Sequence, residues 1–132
     1  MTALWIPGNP APQPRPRVTM QGRTPRVYYV GNKYMAWREA VTLWAQTKLR
    51  GLVNPGTPKV VSMWFCLPAR NGQHPGDPHA QKPDLDNLVK VVLDALIDAE
   101  VLDDDSQVVG IDARKQWSEP DQTGVDIEIR EA

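Results

Sequence analysis

Between Lys82 and Gln107 an apolar stripe lies between two groups of carboxylates, and no other segment limits the available folds as strongly. Leu88, Val91, Val92, Ala95 and Leu96 recur at three- and four-residue spacing, which predicts a helix from about Asp86 to Ala99 with one side buried. Pro83 biases Lys82 toward extended geometry, so Asp84-Leu85-Asp86 should enter that helix from a strand end or loop. A second helix is expected from Lys33 to about Leu49, capped by Asn32, stopped by Gly51, and buried along Tyr34, Trp37, Val41, Trp44 and Ala45. Strands are expected at Leu4–Pro7, Lys59–Leu67, Val108–Trp117 and Gly124–Arg130, the last two as an antiparallel pair with Val125, Ile127 and Ile129 facing inward. The order strand, helix, strand, helix, strand, strand predicts an α+β domain with a mixed sheet of about four strands packed with two main helices. Its 132 residues suit one domain.

Charge divides the chain in two. Residues 1–82 hold 11 of the 15 Lys and Arg and only two acids, Glu39 and Asp77, for a net of +9. Residues 83–132 hold 14 acids against four bases, for a net of -10. A basic half beside a concentrated acidic cluster suggests a polyanion held over a metal site. Hydrophobic content of 41% with five Trp excludes a disordered chain, and no apolar run approaches membrane-spanning length. The first residues lack the charged start and apolar length of a signal peptide, so a cytoplasmic protein is expected. Cys66 is the only cysteine and lies in an apolar strand, where a buried thiol is expected rather than a nucleophile.

Residues 7–26 read as an extended arm, with prolines at 7, 10, 12, 14 and 16 and with Arg15, Arg17, Arg23 and Arg26 uncompensated by any acid. A stiff basic arm suits binding along phosphates, and equally suits a solvated loop or an arm exchanged between subunits. Residues 68–81 form a Pro- and Gly-rich loop, expected to be flexible or functional. His74 and His79 within it match no metal spacing and are expected at the surface.

At the acidic cluster, side chains two apart in extended chain share a face roughly 7 Å apart, so Asp84 and Asp86 can converge on a cation. Two bare carboxylates about 5 Å apart repel by about 3 kcal/mol at an effective dielectric of 20, and a hard divalent cation removes that repulsion. Oxygen-only ligands favour Mg²⁺, with Mn²⁺ as a substitute. Lys90, one turn beyond Asp86, can project over the same site toward a phosphate. The helix carries the chain about 20 Å, so Asp105 rejoins the site only if the chain turns back after Ala99, with Val101 and Leu102 anchoring the return. Each part also has a plainer reading: Asp86 as a helix cap, Asp86–Lys90–Asp94 as a salt-bridge ladder, and Asp103–Asp105 as a solvated turn.

The runs Lys82-Pro83-Asp84-Leu85-Asp86-Asn87-Leu88-Val89-Lys90, Leu93-Asp94-Ala95-Leu96 and Asp104-Asp105-Ser106-Gln107-Val108 closely resemble the signature of RusA-type Holliday junction resolvases. Those are small dimeric, magnesium-dependent endonucleases common in phages and prophages. The resemblance implies a homodimer that nicks opposed strands of four-way DNA junctions in recombination and repair. It places the catalytic aspartates on Asp84, Asp86 and Asp105, the essential lysine on Lys90, and a reserve ligand on Asp104. Where some members carry an arginine-rich run before the first aspartate, this chain offers Arg70 and Lys82, which join Arg15, Arg17, Arg23 and Arg26 as expected DNA contacts.

Overall fold

The computed structural model describes residues 2–14, 17–28, 31–54 and 56–132. In chain order the elements are β1 (Thr2–Pro7), β2 (Arg17–Gln21), β3 (Thr24–Tyr28), α1 (Asn32–Lys48), β4 (Lys59–Pro68), α2 (Leu85–Asp98), a 3-10 turn (Asp105–Gln107), β5 (Val108–Ser118) and β6 (Gly124–Glu131). Four strands form a mixed sheet in the order β1-β6-β4-β5, and β2 and β3 form a separate two-stranded sheet. The α+β expectation holds.

One core joins the sheet to both helices. Phe65 and Val61 of β4, Ile127 of β6, Val41 of α1, and Leu88 and Leu96 of α2 are all fully buried within it. Burying each such side chain contributes about 1.5–3 kcal/mol. The stripe expected on the second helix, from Leu88 to Leu96, is the buried side of α2. The opposite face of the sheet is open, with Trp5 and Trp64 exposed and the Arg114 guanidinium lying over the Trp64 ring.

The last two strands do not pair with each other as the sequence had suggested. β5 runs parallel to β4, while β6 inserts antiparallel between β1 and β4. A parallel neighbour needs a crossover of a dozen or more residues, and the segment holding α2 supplies it. β4, apolar along most of its length, is thereby paired on both edges. At the start of α1, Gly31 occupies the cap position and Asn32 is already helical, with no side-chain cap; Trp44 is 38% exposed rather than buried with Trp37.

The arm is not extended throughout. Residues 17–28 form a hairpin turning at Gly22, a residue at φ 64. Register places Val18 opposite Val27 and Met20 opposite Pro25 on one face, with Arg17 opposite Tyr28 and Thr19 opposite Arg26 on the other. All ten strand residues are exposed.

The loop expected to be flexible is hydrogen-bonded along the outer edge of β5. Trp117 N–H donates to Asp77 O (2.9 Å), Gly76 N–H to Trp117 O (2.7 Å) and His79 N–H to Lys115 O (3.2 Å). This edge lay open for pairing because β5 ends the sheet. His79 is accordingly buried, its ring 3.8 Å from that of Trp117, whereas His74 is exposed as expected.

Candidate active site

α2 positions the first acidic pair. Asp84 stands at its N-cap position in extended geometry and Asp86 in its first turn, where unpaired backbone N–H groups favour negative charge. The Lys82 ammonium lies 2.8 Å from the Asp84 carboxylate. The entry to the helix is held from the sheet: Lys115 of β5 donates its ammonium to the carbonyls of Gln81 (2.5 Å) and Pro83 (2.7 Å). Burial lowers the Lys115 pKa from its ordinary value, against the field of the Asp84 carboxylate, which favours the charged form.

Lys90 is exposed one turn beyond Asp86. Among the described residues it forms no ion pair with Asp86 or Asp94, so the expected alternative of a salt-bridge ladder is not built.

The chain turns back after α2 in the manner the second acidic group requires. The N–H groups of Val101 and Leu102 both donate to Leu96 O, at 3.0 and 3.3 Å, and both side chains are buried. The 3-10 turn then packs against α2. Gln107 pins it, accepting from Asp103 N–H (3.0 Å) and donating to Thr57 O (2.8 Å). Thr57 is itself held by the buried Lys59 ammonium, which pairs with Glu131. Asp105 is the exposed first residue of this turn. Asp104 is committed locally: the Ser106 hydroxyl donates to its carboxylate and, with the Ser106 N–H, holds it below the usual carboxylate range.

Asp84, Asp86 and Asp105 are thus exposed oxygen donors on two pinned segments, a donor set whose chemistry suits a hard divalent cation. Their side chains are not gathered: among the described residues no three His, Cys, Asp or Glu side chains form a group that could hold a metal. The Lys82 ammonium occupies Asp84 instead, through a side chain 81% exposed, and a pair in such contact with water is weak enough to yield to a divalent ion.

The expected DNA contacts divide by location. Arg17 and Arg26 share the polar face of the hairpin, Arg23 lies in its turn, and Arg15 falls outside the described residues. Arg70 and Lys82 line a cleft of about 740 Å³ between the loop, α1 and residues 8–14, together with Lys33, which the sequence did not single out. Lys115 was also missed. It reads as one more polar residue of a strand, and its partners lie more than 30 positions away.

No helix is long and apolar enough to cross a membrane among the described residues. No curated protein matches the chain. The family described as endodeoxyribonuclease RusA matches residues 7–130, a span that takes in both acidic groups, the hairpin and the loop over β5. Since that match extends over nearly the whole fold and includes every residue of the candidate site, the chain belongs to the RusA endodeoxyribonuclease family.

Proposed function

We propose that the protein is a divalent-metal-dependent, structure-specific endodeoxyribonuclease that resolves four-way DNA junctions by paired nicks, acting as a homodimer. The family match over residues 7–130 carries this reading. Asp84, Asp86 and Asp105 would hold Mg²⁺, or Mn²⁺ in its place; Asp104, engaged with Ser106, is the reserve ligand. When bound, the cation supplies Lewis-acid polarisation of the scissile phosphate and draws down the pKa of water. Lys90 opposes charge developing on the phosphate, and Lys115 fixes the backbone from which Asp84 projects. A homodimer's two-fold axis would match that of the junction.

The test is incubation of synthetic four-way junctions with the protein and Mg²⁺, beside equal amounts of duplex and fork. Symmetric nicks in opposed strands are expected. Equal cutting of forks would widen the substrate class, and binding without cutting would remove catalysis from the reading.

Two further outcomes are expected. Replacing Arg17 and Arg26 together with Ala should lower the slope of log K against log salt by up to about 1.8, because each phosphate neutralised contributes about 0.9. Gel shift at several salt concentrations measures it, and an unchanged slope would take the hairpin's polar face away from the DNA. Lys115→Met should cost about 1–2 kcal/mol of stability through loss of two charge-assisted hydrogen bonds. It should also raise the Mg²⁺ concentration for half-maximal cutting, and weaken Mn²⁺ binding to the free protein in calorimetry. A purely structural lysine would lower only the unfolding temperature.

A further inference from the structure

We infer that the 740 Å³ cleft is a nucleotide site, seating one unstacked base of the DNA strand beside Asp84 and Asp86. This rests on the proposed action at branched DNA and adds where a nucleotide freed at the branch would go. The cleft's volume falls in the range of small-molecule sites. Its walls carry Tyr34, Trp37, His79 and Trp117, and its charged residues are Lys33, Arg70 and Lys82, with no acid. In a chain with 16 acids, a concavity whose charged lining residues are all cations is complementary to phosphate. A smaller concavity of about 190 Å³ on the open sheet face is lined by Asp112, Asp126 and Glu128 beside the single cation Arg114, and offers phosphate no such complementarity.

Two further observations point to a ligand of mixed character. Trp37 Nε1 is buried on a residue that lines the cleft and has no hydrogen-bond partner among the described residues, whereas the His79 ring is engaged by the backbone of Gln81. Buried polar atoms are ordinarily satisfied, so the Trp37 N–H marks the wall as built for something besides apolar packing. Asn9 and Gln81 place amides on the same lining, their oxygens accepting from Thr123 and Gln73 and their N–H groups suited to a base edge. Position completes the case. Gln81, Lys82 and Pro83 form one side of the cleft and run directly into Asp84, so a strand whose base enters here has its neighbouring phosphate beside the carboxylates. A base at a branch point is the least costly to unstack, and the prolines of residues 8–14 with the exposed edges of the largely buried Tyr34 and Trp117 give it an apolar surface without regard to sequence.

The experiment uses the full chain and a synthetic four-way junction in EDTA, which permits binding without cleavage. 5-Iododeoxyuridine is placed singly at each position within two nucleotides of the branch, and cross-links are mapped by mass spectrometry. Cross-links from one position to peptides containing Tyr34, His79 or Trp117 are expected. At that position an abasic nucleotide should weaken binding about 10-fold. Ala36→Trp, which fills the cleft from an exposed position on α1, should abolish both effects with unfolding unchanged, and Ala40→Leu serves as a second, smaller filler. Cross-links confined to the hairpin, or fillers that leave the abasic effect intact, would overturn the cleft assignment. So would fillers that change only self-association, which would give the cleft to a second copy of the chain. Cutting of the unmodified junction in Mg²⁺ is scored separately, so loss of the nuclease reading and loss of the cleft are told apart.

Discussion

Asp86→Asn is expected to lower junction cutting by at least about 1000-fold, some 4 kcal/mol of transition-state stabilisation, while binding in EDTA is unchanged or tighter. Asn keeps the shape of the side chain and one oxygen donor but removes the charge on which a hard cation depends. In the first turn of α2 the same change forfeits only the attraction of a carboxylate for the helix N-terminus, about 0.3–1 kcal/mol, so the fold survives it. Phosphate approaching α2 meets one fewer negative charge, which accounts for the direction expected in binding. Gel shift in EDTA and single-turnover cutting in Mg²⁺ on one preparation measure the two quantities. Cutting at the wild-type rate would remove Asp86 from the site and leave Asp84 and Asp105 without the ligand between them in sequence.

How far the site can be read before folding depends on whether its parts are local. The buried side of α2 follows from a period of 3.6 alone, and so do its acidic neighbours, because Asp84, Asp86 and Lys90 lie within seven residues. The return to Asp105 was legible as a requirement with Val101 and Leu102 as its anchors, whereas the pin of Gln107 on Thr57 spans 50 positions and was not. Pairing in the sheet was misread at β5 and β6 because adjacency in sequence was taken for adjacency in space, whereas the crossover through α2 gave β4 a parallel neighbour first. In the arm, Pro25 and the run of prolines before Arg17 hid the two strands, since a two-stranded ribbon exposed on both faces has no buried side to mark it. His79 and Lys115 escaped for the same reason as each other. Each acquires its setting from the loop laid on β5, and nothing in the composition of residues 68–81 signals that edge.

Lys90→Ala separates an electrostatic role from a surface one and is the second large effect expected. Since Lys90 is exposed and pairs with neither Asp86 nor Asp94 among the described residues, removing it should change stability by no more than about 0.5 kcal/mol. If its ammonium opposes charge developing on the scissile phosphate, the cutting rate should fall about 100-fold or more, equivalent to roughly 2.7 kcal/mol. Arg should rescue poorly, because a planar fork on a stem of different reach cannot present a compact charge at the same point without moving its partner. Binding in EDTA should weaken little, which distinguishes Lys90 from Arg17 and Arg26, whose loss is expected to flatten the salt dependence. The deciding measurement is a single-turnover rate on saturating junction, with thermal unfolding as the control. A rate within threefold of wild type would make Lys90 a solvated residue on the exposed side of α2 and leave the carboxylates, with Lys115 behind them, as the whole of the catalytic apparatus.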